Sequence, residues 1–95
     1  PGDAVGAAPP QASGLAGEYA DGVVTWTWTA PTGPAPADIV YAYEATGPAG
    51  TSRGRVETTT AMVDGASGEN CMEITTVSRS SGRMSDPLRA CVDVP

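Results

Sequence analysis

The 95-residue sequence contains no histidine, no lysine and no phenylalanine. Without histidine, the Ser-His-Asp and Cys-His arrangements that activate a nucleophile cannot be built. Leu, Ile and Val together account for only 13 of the 95 residues, so disorder competes seriously with folding. No apolar run approaches the roughly 20 residues of a transmembrane helix, and no basic segment followed by an apolar one indicates a signal peptide.

The charge of the chain also limits its partners. The formal net charge is −6, and all five basic residues are arginines. This acidic balance argues against nucleic acid and anionic membrane as partners, because both require a basic surface. Abundant Ala, Gly and Pro, with Arg in place of Lys, indicate a GC-rich genome, and we expect a bacterial source.

The apolar residues that are present recur at every second position, which favours a folded β protein. In the run 23–29, Val24, Trp26 and Trp28 lie on one side and valine or threonine on the other. Both tryptophans of the chain therefore point the same way, and we expect that side to be the centre of the core. An Asp-Gly turn precedes this strand and Pro31 ends it.

Further short runs, separated by Gly and Pro, predict the rest of the fold. We expect strands near 11–15, 23–29, 38–45, 52–57, 59–63, 71–77 and 88–94. Residues 17–22 are predicted as a polar connection and 32–36 as a rigid loop. Seven such strands without a helical segment favour an antiparallel β-sandwich, spanning 14–95 after a Pro/Gly/Ala-rich linker at 1–13.

Three interpretations of the two cysteines are open: a disulfide, two free thiols or a redox-active pair. Zinc would need more ligands than this pair provides. If 71–77 and 85–91 form a hairpin, its centre falls at Ser81, and Cys71 lies opposite Cys91 on the outward face. We therefore expect a structural disulfide, worth about 3 kcal/mol by chain entropy. A disulfide in turn predicts an oxidising, extracellular location.

Several segments together resemble fibronectin type III domains over about residues 10 to 95. The segment 24–31 resembles the second strand of that family, Tyr41-Ala42-Tyr43 is similar to its third strand, and 71–78 with 85–88 is similar to its sixth and seventh. The resemblance implies an immunoglobulin-like sandwich.

The chain departs from the family at two places. The tyrosine that usually opens the sixth strand is absent, and Asn70, Cys71 or Met72 occupies its region. The cysteine pair is not a general family feature, and its disulfide is a candidate replacement for the lost corner interaction. No Arg-Gly-Asp tripeptide is present, so the resemblance implies no integrin binding and no functional residue transfers.

Catalysis and metal binding are not expected from the remaining residues. Glu44 and Glu73 are predicted on the same sheet face, but an open face does not exclude water as a paired-carboxylate site must. Asp21, Asp64 and Asp86 sit singly in turns and do not form the clustered oxygen set that calcium needs. We expect no enzyme, no cofactor and no metal.

The expected function is that of a non-catalytic extracellular spacer or protein-interaction module of a larger bacterial protein. Its partners would be neighbouring domains or a protein ligand, with no membrane insertion. The candidate contacts lie in the 78–84 loop and on one sheet face: Arg79, Arg83, Val40, Glu44 and Thr75. The alternatives are an accessory module of a secreted polysaccharide-degrading enzyme, with weak carbohydrate contact, and a receptor-type sensor ectodomain.

Overall fold

The computed structural model describes residues 9–31, 39–79 and 81–95, so the loop predicted at 32–36 lies outside the described residues. Seven strands run in chain order: β1 (Ser13–Ala20), β2 (Val23–Thr29), β3 (Ile39–Gly47), β4 (Gly50–Val56), β5 (Thr60–Asp64), β6 (Gly68–Ser78) and β7 (Leu88–Val94). Within the described ranges, no helix is long and apolar enough to cross a membrane.

The strands form two antiparallel sheets, which confirms the predicted seven-stranded sandwich. One sheet has the order β1-β2-β5 and the other the order β4-β3-β6-β7. The tryptophan strand β2 is the middle strand of the smaller sheet. Strands β3 and β6 are the middle strands of the larger sheet.

The tryptophan strand faces the core as its alternation predicts. Trp26 is fully buried and Trp28 is 5% exposed, whereas Thr27 and Thr29 on the other face are exposed. Trp28 meets the ring of Tyr41 edge-on, with centroids 5.3 Å apart and planes at 73°. Because Trp28 belongs to one sheet and Tyr41 to the other, this aromatic contact joins the two layers.

The buried cluster draws on both sheets. Its members in the described chain are Ala12, Val24, Trp26, Trp28, Tyr41, Ala45, Ala61, Met72, Ile74 and Val94. Ile39 and Tyr43, which alternate with outward residues along β3, are partly buried and pack against this cluster. Leu88, Ala90 and Val92, at every second position of β7, pack against the same cluster.

The first strand is longer than predicted, and the polar connection expected at 17–22 is wrong. Strand β1 continues to Ala20, and only Asp21 and Gly22 connect it to β2. Both have positive φ, at 52° and 81°, as a two-residue hairpin turn of this kind requires. The sequence hides the strand because Gly17, opposite Trp26, has no side chain to mark the inward face.

The Cys71–Cys91 disulfide is present, as the hairpin symmetry predicts. Cys71 lies directly opposite Cys91, and every other pair between β6 and β7 keeps the same centre at residue 81. The second strand begins at Leu88 rather than at 85, since only a bridge between Val77 and Met84 precedes it. On the outward face, Cys71 is buried and Cys91 exposed.

The corner before β6 is held by Asn70, which occupies the region of the missing tyrosine. Its Nδ2 donates to the carbonyl oxygens of Ala66 at 2.6 Å and Gly68 at 3.0 Å. Its Oδ1 accepts from the Ala66 N–H at 3.3 Å. The Asn70 carboxamide thus holds the β5–β6 loop against β6. From the sequence, the disulfide was the candidate for this role. The disulfide instead joins β6 to β7.

We expect Trp28→Ala to lower the free energy of unfolding by about 3–5 kcal/mol, because it removes a buried ring and its contact with Tyr41. Thr27→Ala, the next residue on the exposed face, should change it by less than about 1 kcal/mol. Urea unfolding followed by circular dichroism measures both. Equal losses in the two variants would contradict this assignment of the strand faces.

We expect Asn70→Ala to cost about 1–3 kcal/mol, because it leaves partly buried backbone groups of the corner without their partner. The control is Ser67→Ala in the same loop, which removes only an exposed hydroxyl that donates to the Pro95 carbonyl. Its loss should stay within about 0.5 kcal/mol. Thermal unfolding of the oxidised proteins compares them. An Asn70 variant as stable as the Ser67 variant would show that the disulfide alone holds this end.

Burial raises the pKa of the Tyr41 hydroxyl, because desolvation disfavours the phenolate. The contribution of Tyr41 to stability is therefore complete below about pH 10, the ordinary pKa of tyrosine in the unfolded chain, and is lost as pH rises through the folded value. We expect wild-type stability to fall more steeply above this pH than that of Tyr41→Phe, by at most about 1.4 kcal/mol per pH unit. Parallel urea titrations at alkaline pH test the difference.

Candidate interaction surface

The side of the four-stranded sheet that is turned away from the core is the face on which partner contacts were predicted; we call it the outer face. Its side chains follow from the register. Ala42 pairs with both Arg55 and Thr75, and Glu44 pairs with both Arg53 and Glu73. Thr75 and Glu44 therefore lie in neighbouring rows at the middle of this face, as predicted, and both are half-buried.

A row of four charges crosses the outer face from edge to edge. Arg53, Glu44, Glu73 and Arg89 are consecutive cross-strand partners on β4, β3, β6 and β7. The Arg53 Nε donates to the Glu44 Oε2 at 2.6 Å. Two carboxylates thus lie side by side between two guanidinium groups, and the formal charge of the row is zero. Such a row can orient a partner without attracting polyanions or polycations in general.

The two neighbouring carboxylates do not form a catalytic cleft. Glu44 and Glu73 are directly opposed on adjacent strands. A pair that cleaves glycosidic bonds must flank the substrate inside a cleft, with water controlled by the surroundings. Here the pair lies on a broad sheet face, and one member is bound to Arg53.

Val40 is not exposed on the outer face, although it was predicted as a contact residue. It is only 5% exposed and lies opposite Val77, which is also buried. Arg79 and Glu57 stand beside it at a groove of about 360 Å³ and form an ion pair, with Nη2 and Oε2 2.6 Å apart. Val40 is thus the buried member of the groove that Arg79 and Glu57 also line.

The loop carrying Arg79 and Arg83 has a fixed base. The Ser78 N–H donates to the Arg83 carbonyl at 2.9 Å, and the Gly82 N–H donates to the Ser78 carbonyl at 2.8 Å. Buried Ser85 closes the loop, because its Oγ accepts from the Thr76 N–H at 2.9 Å. These bonds hold the two arginines at the end of the outer face where β3 begins, since Ile39 pairs with Ser78. Both arginine side chains are exposed.

A cleft of about 380 Å³ opens on the other side of the sandwich, where the edge strands β4 and β5 part. The residues that line it include Trp26, Tyr43, Ala45, Ser52, Met62 and Asn70. Met62 is 66% exposed, the most of any large apolar residue described. Asp64 is the one charged residue in the lining of this cleft, and the aromatic residues that line it, Trp26 and Tyr43, are buried and half-buried, so it indicates no particular ligand.

Exposed aromatic side chains, on which a sugar ring could stack, are nearly absent. All five aromatic residues belong to the described chain, and four of them are buried or half-buried in the core. Only Tyr19 is classed with the exposed residues, at 38%. Its ring lies beside Gly65. Tyr19 belongs to β1 of the smaller sheet, whereas the outer face belongs to the larger sheet.

Sequence reasoning missed the arginines that complete the outer face. Arg53 and Arg55 lie in the predicted strand 52–57 and Arg89 in the predicted strand 88–94, and none of the three is among the predicted contact residues. The period-two alternation places each on the solvent side. Nothing local to them indicates that Glu44 and Glu73 stand between Arg53 and Arg89, because that row depends on three separate registers.

The sheet orders β1-β2-β5 and β4-β3-β6-β7 define an immunoglobulin-like sandwich of the fibronectin type III kind. No protein-family model and no curated protein matches the sequence.

Among solved structures, the chain is similar to the rat CD45 extracellular region, domains d3-d4. The TM-score is 0.78 at 15% identity, over 94% of this chain and 51% of that chain. It is also similar to the fibronectin type-III domain of human fibronectin type III domain containing protein 3. There the TM-score is 0.64 at 15% identity, over 94% of this chain and 90% of that chain. The present chain spans about half the length of the CD45 chain, and identities at this level show the fold alone.

Proposed function

We propose that the chain is a non-catalytic extracellular module of a larger bacterial protein, which spaces neighbouring domains and contacts protein through the outer face. Domains of this fold typically serve as interaction or spacer modules. The observation that carries the proposal is the division of side chains: four of the five aromatic residues lie in the core, and the outer face presents polar side chains and a row of charges that sum to zero.

The path of the chain suits a spacer. Gln11 Nε2 donates to the Pro87 carbonyl at 2.9 Å, so the approach to β1 lies beside the start of β7. The end of β7 lies at the opposite pole, where Val94 pairs with Gly68. Seven residues of β7 separate the two poles, or about 20 Å at the usual rise of a strand. Domains attached before β1 and after β7 would therefore be held apart.

The proposed domain boundaries come from the sequence, with 1–13 as the tether and 14–95 as the module, although β1 already begins at Ser13. The last part of the tether is anchored, because Ala12 is buried in the core and Gln11 bonds to Pro87. Anchoring at this point would transmit the orientation of a preceding domain to the sandwich. The disulfide supports placement in an oxidising compartment outside the cytoplasmic membrane.

The partner surface consists of Arg79, Arg83, Glu44 and Thr75 with the charged row. Its mixed charges favour a protein with complementary charges over a polysaccharide or nucleic acid. Val40 is buried at the groove that Arg79 also lines, so it is not counted as a contact of its own. Carbohydrate contact, the alternative function, would depend on Tyr19 as the exposed aromatic ring.

We expect a photoreactive side chain at position 75 to cross-link to a neighbouring domain or a bound protein when the parent protein is secreted. The matched control is position 27, a threonine on the outer face of the smaller sheet. Mass spectrometry identifies the cross-linked peptides. Equal cross-linking from both positions, or from neither, would contradict a specific outer face.

The same domain, labelled for backbone NMR, should show no saturable shift changes with a panel of soluble glycans, and it should hydrolyse none of them. Shifts centred on Tyr19 or either tryptophan would favour the carbohydrate-contact alternative. Cross-linking from position 75 together with silent glycan titrations is the result expected for a protein-interaction module.

A further inference from the structure

Two cross-strand pairs lie next to each other at the far end of the β6–β7 hairpin. Cys71 is opposite Cys91, and Glu69 is opposite Asp93. Residues two apart on a strand point to the same side, so all four side chains belong to the outer face. Ligand atoms of Glu69, Cys71 and Cys91 lie within 4.8 Å of one another. This corner therefore gathers two sulfurs and a carboxylate, with a second carboxylate in register.

The spacing of such a square suits a single metal ion. The Cα atoms of Cys71 and Cys91 are 4.0 Å apart, and residues two apart on one strand are separated by about 7 Å. The centre of the square then lies roughly 4 Å from each corner. A Zn–S bond of about 2.3 Å added to one Cβ–Sγ bond covers this distance, and the carboxylate side chains are longer.

We propose that opening the Cys71–Cys91 disulfide converts this corner into a Zn²⁺ site, with the two thiolates and Glu69 as ligands and Asp93 as the fourth. A dithiol reductant supplies the two electrons. Its thiolate attacks the exposed Cys91 sulfur, the S–S bond breaks and Cys71 leaves as a thiolate that takes up a proton. The second thiol of the reductant then displaces Cys91, and the products are a cyclic disulfide and two protein thiols. Zinc binding releases the two thiol protons.

The donor set decides which metal is bound. Two thiolates with two carboxylates carry four negative charges, which a divalent cation partly neutralises. Thiolate ligands favour zinc over magnesium or calcium, which take oxygen ligands. Each sulfur is already bonded to the other in the oxidised chain, so disulfide and metal exclude each other. The corner thus alternates between a covalent and a metal cross-link at the same two positions.

The test compares the oxidised and reduced forms of the whole domain. Protein reduced with a phosphine, which is then removed without air, is titrated with Co²⁺ and with Zn²⁺. We expect reduced wild type to bind a single ion and to show thiolate charge-transfer bands and the visible bands of tetrahedral cobalt. Zinc should bleach these bands, and the oxidised protein should show none.

The variants distinguish a four-ligand zinc site from zinc binding by the two thiols alone. Glu69→Gln and Asp93→Asn should each weaken zinc binding at least about tenfold, the smallest effect usual for groups that support a metal. Glu18→Gln should have no effect. It removes the same negative charge from an exposed residue on the other sheet. Cys91→Ser should abolish the cobalt bands. Binding unaffected by both acidic substitutions would overturn the proposal, as would octahedral cobalt spectra.

If the reduced domain unfolds without metal, the same proposal predicts that zinc refolds it. Circular dichroism should then recover on addition of zinc in wild type and Glu18→Gln at concentrations that leave Glu69→Gln unfolded. Equal recovery in all three proteins, or recovery in none of them, would overturn it.

Discussion

The burial of two indole rings between thin sheets is the constraint on which this domain depends. Trp26 lies between Gly17 on one neighbouring strand and Ala61 on the other. A Cβ at Gly17 would stand 2.8 to 3.0 Å from three ring atoms of Trp26, so the ring occupies the space that a side chain would fill. Neither indole N–H meets an acceptor among the described residues. Packing of the rings must therefore offset this cost, which makes the small residues around them as necessary as the tryptophans.

This use of aromatic residues determines what the surface can offer. With few aliphatic residues available, the core takes up the rings that a sugar-binding face would need. The outer face is left to charged and hydroxyl side chains, arranged so that two acidic residues stand between two basic ones. A surface of this kind distinguishes partners by the position of charges and not by net attraction.

The two poles of the sandwich are stabilised by different means. At one pole Asn70 ties the β5–β6 loop to its strand, and the disulfide joins β6 to β7 nearby. At the other, Ser85 continues the pairing of Thr76 beyond the end of the hairpin ladder. The Asn70 side chain holds the corner because it accepts one hydrogen bond from the backbone there and donates two to it. The disulfide does not contribute to this corner and links only the two strands of the β6–β7 hairpin.

The sequence by itself determined the strands in which apolar and polar residues alternate. The tryptophan strand, the inward faces of β3 and β7, and the pairing of Cys71 with Cys91 all follow from period two and hairpin symmetry, which are local. The second part of strand β1 was missed because its inward residue Gly17 has no side chain, and the function of this glycine is visible only beside Trp26. Tertiary structure alone decided that Val40 is buried, that Asn70 closes the corner and that four charges form one row. Each of these depends on residues from separate strands whose relative register no single segment encodes, because burial and pairing are set by the neighbour across the sheet.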